Sequence, residues 1–155
     1  MSFVTADGDY ADRQLVDEAT HRSLLLCRSA LASPATPAGV RVSCLARVAM
    51  LLDALPLARL PADGARRLGR DRCQAYSELA AACRQTGDAH GAVANYRRAA
   101  TLAQALGADA LLGQICAAWA DVEESLGRPT EARRVRARAT AAHQQTMRDG
   151  GTHSS

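Results

Sequence analysis

The chain has 155 residues, 48% of them apolar and 23% charged, with a net charge of +3. That length fits one domain with a real core, and the apolar fraction excludes a disordered chain. Aromatic residues make up 3%, Ala stands at 34 positions and every one of the 19 basic residues is Arg, a balance that favours helix over sheet.

In chain order, residues 1–9 read as a loose leader. A first helix is expected from Tyr10 to Ala32, with Leu15, Ala19, Leu26, Cys27, Ala30 and Leu31 near helical spacing. The segment Ser33-Pro34-Ala35-Thr36-Pro37 stops it, because Pro cannot continue the hydrogen-bond ladder. A second helix covers Gly39–Leu55 and ends at Pro56 and Pro61. Asp63 has the chemistry of an N-cap for a third helix running to Thr86. Gly87 suits a left-handed C-cap, and Gly107 and Gly127 close the fourth helix (Ala89–Leu106) and the fifth (Ala110–Leu126) in the same way. Asp109 can cap the fifth. The sixth starts at Arg128-Pro129 and ends near Arg148, leaving 149–155 as a frayed polar tail. The expected fold is all-α: six antiparallel helices joined by short turns, paired over 10–61, 63–106 and 109–148.

Five cysteines, at 27, 44, 73, 83 and 116, stand singly and form no CxxC. They read as reduced thiols packed as small hydrophobes in a cytoplasmic protein. No apolar run is long enough for a signal core or a membrane span. Residues 1–20 carry five acids against Arg13, whereas residues 128–148 carry six Arg against Glu131. Such polarity can orient copies of the chain or steer a partner, although charge runs ordinarily sit in water. Ser23-Leu24-Leu25-Leu26-Cys27 is wider than one apolar stripe and offers a homodimer surface on the first helix.

The two C-terminal pairs match at an offset of 40 residues: Ala80 with Ala120, Gly87 with Gly127, Ala92 with Ala132, Ala99 with Ala139 and Leu79 with Trp119. At these residues the chain resembles the tetratricopeptide repeat family. The motif reads Tyr76-x2-Leu79-Ala80-x2-Cys83, then Gly87-Asp88, then Ala92-x3-Tyr96 and Ala99. The second copy departs from it, with Glu123 in place of an apolar residue and Arg136 in place of an aromatic. The period is also longer than the family's ~34 residues. The resemblance covers about 73–143 and implies an α-solenoid whose first helices line a concave groove. Carried onto this chain, the groove would present Gln74, Ser77, Ala81, Arg84 and Gln85 from the third helix. From the fifth it would present Gln114, Ala117, Asp121, Glu124 and Ser125. Arg84 would fork onto a carboxylate, Gln74 and Gln114 would bond a peptide backbone, and Asp121 and Glu124 would favour a basic group. Tyr76, Tyr96 and Trp119 are expected in the core.

No catalytic constellation, phosphate-cradling loop or metal spacing occurs among His21, His90, His143, His153 and the acids, and no cofactor is implied. A recognition helix is absent and the Arg-rich sixth helix lacks interleaved aromatics, which argues against a nucleic-acid partner. The leading reading is a non-catalytic adaptor or regulatory scaffold that binds a protein or peptide. The alternative is a helical enzyme or small-molecule binder using Arg84, Asp121, Glu124 and His90 between helices. The Lys-free, Ala-rich composition suits a GC-rich bacterial coding sequence.

Overall fold

In the computed structural model, residues 18–151 are described. The leader, the acidic residues before Glu18, the start of the first expected helix and the tail from 152 lie outside them. Among the described residues there are six α-helices and no strand: α1 (Glu18–Ala32), α2 (Ala38–Ala54), α3 (Ala62–Gln85), α4 (Ala89–Ala105), α5 (Asp109–Ser125) and α6 (Pro129–Gly151). A short 3-10 turn at Leu57–Arg59, which the sequence pattern does not announce, bridges α2 and α3.

Three turns share one geometry. Gly87, Gly107 and Gly127 have φ of 84°, 62° and 71°. The amide after each glycine reaches back to the helix: Asp88 N to Cys83 O (2.9 Å), Ala108 N to Ala103 O (3.0 Å) and Arg128 N to Glu123 O (2.9 Å). Each glycine amide also bonds the carbonyl three residues earlier, which completes a Schellman cap. The α3–α4, α4–α5 and α5–α6 connections are therefore one turn repeated.

The first two helices end differently, without a left-handed glycine. Arg41 donates to Leu31 O (3.1 Å) in the last turn of α1 and to Ser33 O (3.0 Å) just after it. Arg72 donates to Leu52 O (2.8 Å), Asp53 O (3.2 Å) and Leu55 O (2.7 Å) at the end of α2. A guanidinium fork from the next helix thus satisfies carbonyls that a glycine cap leaves to backbone amides.

Some expected caps move by a residue. α3 starts at Ala62 behind Pro61, with Asp63 inside its first turn and no side-chain cap. Proline's fixed φ already directs the chain into the helix there. α5 starts at Asp109, so Asp109 is its first residue and not its cap. Asp88 is a true N-cap, accepting from Gly91 N at 2.8 Å. His90 is the second residue of α4, and α6 runs through Asp149 to Gly151.

Each helix packs chiefly on its neighbours in the chain. Two apolar clusters result. One joins Cys73, Leu79 and Ala80 of α3 to Ala92, Tyr96 and Ala99 of α4, to Ile115, Cys116, Trp119 and Ala120 of α5, and to Ala132 and Val135 of α6. The other joins Leu24 of α1, Val48, Ala49, Leu51 and Leu52 of α2 and Leu68 and Ala75 of α3. α3 is the shared wall, with half-buried Tyr76 and Leu31 packed against both clusters. The recurring alanines at 80, 92, 99, 120 and 132 are fully buried, which lets the helix backbones approach closely.

Candidate functional site

Two long helices that outrun their neighbours shape the surface. α3 has 24 residues and α6 has 23, against 17 in each of α4 and α5. The start of α3 passes the end of α4, so that Gly69 lies against Leu106; a Cβ there would meet Leu106 Cδ2 at 2.7 Å. The end of α6 passes the start of α5. Between these overhangs lies an open hollow of about 460 Å³ lined by Arg70, Gln74, Gly107, Asp109, Leu111, Thr146 and Asp149, among others. A second hollow, about 500 Å³, lies between α5 and α6 and is lined by Asp109, Ala110, Gly113, Gln114, Ala117, Ala139, Thr140 and His143. Asp109 and Ala110 line both, so the two form one strip across the first turns of α5.

Gln74 is half-buried and donates to Glu78 Oε1 at 3.1 Å. Burial raises the Glu78 carboxyl above its ordinary value, with the Gln74 bond opposing. Gln114 and Ala117 are exposed in the second hollow. The two glutamines therefore lie on the same strip in different hollows. Ser77 and Ala81 are half-buried, and Arg84 and Gln85 are exposed at the far end of α3.

Arg84 and Asp121 both act on the buried Tyr96 phenol: burial is the main cause of its raised pKa, Arg84 opposes it and Asp121 adds to it. Asp121 and Glu124 are exposed, but Arg136 of α6 already reaches both, at 3.3 Å and 2.5 Å. The hydrogen bond from Arg136 holds the Glu124 carboxyl below its ordinary value. The basic group expected from a partner is thus supplied within the chain, by the Arg that stands where the repeat motif has an aromatic. Ser125 Oγ turns back to Val122 O (2.7 Å).

Arg84, Asp121, Glu124 and His90, the set offered for an enzyme or small-molecule site, line neither hollow. Among the described residues no group of three or more His, Cys, Asp or Glu is placed to hold a metal, and no helix is long and apolar enough to cross a membrane.

Two polar constellations escaped sequence reasoning. Asp53 of α2 accepts from the Tyr76 hydroxyl of α3 and from Arg98 of α4 (3.0 Å), with Arg72 Nε at 3.8 Å. Arg98 also lies over the Tyr76 ring, 5.3 Å from its centroid. Asp53 thereby ties three helices together. The second is Glu123, 1% exposed, whose carboxylate accepts from Trp119 Nε1 (2.9 Å) and faces Arg128 (3.5 Å). Arg97 and Arg138 stand 5.7 Å from the Trp119 ring. Trp119 is core, as its spacing suggests, and Glu123 takes an apolar position because the indole N–H needs an acceptor there.

No family model matches the chain, and no curated protein or solved structure matches it.

Proposed function

We propose that the chain is a non-catalytic interaction module, similar in plan to tetratricopeptide repeats, that binds an extended segment of another protein. The observation that supports this reading most is the continuous strip across α5, from Arg70 and Gln74 to Gln114 and His143. Gly and Ala residues at 107, 108, 110, 113, 117 and 139 line it, interleaved with polar side chains such as Gln74, Asp109, Gln114 and His143. An extended chain fits such a surface, because small side chains admit its backbone and amides such as Gln114 bond it in either direction. The repeated turn at Gly87, Gly107 and Gly127 supports a stacked, solenoid-like construction, in which successive helices present one continuous face.

Relative to the groove carried over from the family, the binding region moves toward the first turns of α5. Gln74, Gln114 and Ala117 remain part of it. Arg84 and Gln85 lie outside it, at the far end of α3, and Asp121 and Glu124 are paired with Arg136. The reading places the module in a bacterial cytoplasm, as an arm or scaffold acting on a separate partner.

The test is selection from a displayed library of peptide segments, followed by calorimetric titration of the selected sequences. Ala117→Arg fills the second hollow from an exposed position and leaves the core alone. It should weaken binding at least about tenfold, or about 1.4 kcal/mol. Arg133→Glu, on the exposed side of α6, should leave affinity unchanged. Equal binding by wild type and Ala117→Arg would remove the strip from the account.

A further inference from the structure

Cys27 and Cys44 do not share the deep burial of Cys73, Cys83 and Cys116; both are half-buried. They sit on α1 and α2, which form an antiparallel hairpin. Cys27 lies five residues before the end of α1 at Ala32 and Cys44 six residues after the start of α2 at Ala38, so the two stand at one level of the hairpin. Cys44 and Arg47 are both close enough to act on the Cys27 thiol. The three remaining thiols are spread through the larger cluster, where Cys73 donates to Ala99 O at 3.2 Å.

We propose that Cys27 and Cys44 form a dithiol site at which a hydroperoxide is reduced and a disulfide pins α1 to α2. A thiolate of the pair attacks the peroxide O–O bond, takes one oxygen as a sulfenic acid and expels the other as hydroxide, which leaves as water. The second thiol then attacks the sulfenic sulfur. The S–S bond forms, the S–O bond breaks and the oxygen departs as a second water. Two thiols and one hydrogen peroxide give one disulfide and two waters, so the sulfur pair supplies both electrons. A small dithiol reverses the reaction by two exchange steps.

The surroundings suit such a site. Burial first, and then the neighbouring Cys44 sulfur, raise the Cys27 thiol above its ordinary value, with the Arg47 guanidinium opposing, so Cys27 keeps its proton and suits the second, disulfide-closing step. The consequence is also local. α1 packs chiefly on α2, and its Leu25 and Leu26 are 49% and 67% exposed. It is the helix least held by the rest of the fold, so a covalent link to α2 changes its freedom more than it would for any buried helix.

The test treats the full-length chain with hydrogen peroxide, blocks remaining thiols and digests at Arg without reduction. Cleavage after Arg22, Arg28, Arg41 and Arg47 puts Cys27 in residues 23–28 and Cys44 in residues 42–47. The expected product is these two peptides joined, with the mass of two hydrogens lost, while Cys73, Cys83 and Cys116 stay alkylatable after unfolding. Dithiothreitol should restore both peptides. In Cys27→Ser the joined product disappears, and Cys44 instead carries a sulfenic acid trapped by dimedone. Hydrogen exchange across residues 22–32 should slow in the oxidised form. Overturning results are peroxide consumption with Cys27 and Cys44 unjoined, a disulfide between chains in place of the internal one, or unchanged α1 exchange after the link forms.

Discussion

Replacing Glu123 separates the two interactions that hold a buried carboxylate in this core. Glu123 is 1% exposed, bonded to Trp119 Nε1 at 2.9 Å, and 3.5 Å from an Arg128 side chain that is 48% exposed. The long, half-solvated ion pair is worth at most about 1 kcal/mol after screening. The indole N–H, if left without an acceptor, costs about 1–3 kcal/mol, and truncation of the side chain adds a cavity cost of about 1 kcal/mol or more. Glu123→Ala should therefore destabilise the fold by about 2–4 kcal/mol. Glu123→Gln keeps an acceptor for Trp119 and removes a buried charge, and should stay within about 1 kcal/mol of wild type. Arg128→Ala should fall between them. Urea unfolding followed by far-UV circular dichroism gives the three values. Fluorescence of Trp119, the single tryptophan, reports the same transition locally. If Glu123→Gln costs as much as Glu123→Ala, the ion pair and not the indole bond holds the site, and the reasoning fails.

Other substitutions test the remaining joints of the fold. Arg72→Ala should cost about 2–4 kcal/mol in urea unfolding, because a charged fork to three carbonyls is lost, and Arg72→Lys should recover less than half of it. Gly127→Ala forces a side chain to φ 71° and should destabilise by about 1 kcal/mol, whereas Gly113→Ala should stabilise by up to about 1 kcal/mol. The new Cβ at 113 meets Ala139 O at an ordinary 3.6 Å, so thermal melts of the two variants should shift in opposite directions. Glu78 gives a pH signature. Its carboxyl is raised by burial, so between its unfolded and folded pKa values the native state holds the extra proton and stability falls as pH rises. Glu78→Gln should accordingly match wild type in acid below both values and exceed it at pH near 7, by denaturant midpoints at each pH.

The parts of the fold that were legible in the sequence rest on short-range chemistry. Gly87, Gly107 and Gly127 announce their caps because only a residue without a Cβ adopts that φ cheaply. The alanines at 80, 92, 99, 120 and 132 announce close helix contacts because a small side chain lets two backbones approach, and all five are at zero exposure. The ends of α1 and α2 were less legible. Their caps come from Arg41 and Arg72, and the sequence distance between cap and carbonyl reaches 20 residues. The candidate site was visible only in part for a similar reason. Gln74 and Gln114 come from the groove positions that the repeat resemblance implies. Arg70, Thr146 and Asp149 join them only because α3 and α6 outrun their neighbours at the same end. The unequal helix lengths, 24 and 23 residues against 17, were the available signal. The pairing of Asp121 and Glu124 with Arg136 was hidden because it depends on how α6 lies against α5, and no motif encodes that.

The strip across α5 is the centre of the functional account, and site-specific photo-crosslinking tests it most directly. A photoreactive amino acid is placed at Gln114 in the strip, or at Arg133 on the exposed face of α6, and cells of the native host are irradiated. The account predicts a discrete protein adduct from position 114 that vanishes when Ala117→Arg is added, and none of that mass from position 133. Adducts of the same mass and yield from both positions, or from neither, would contradict it.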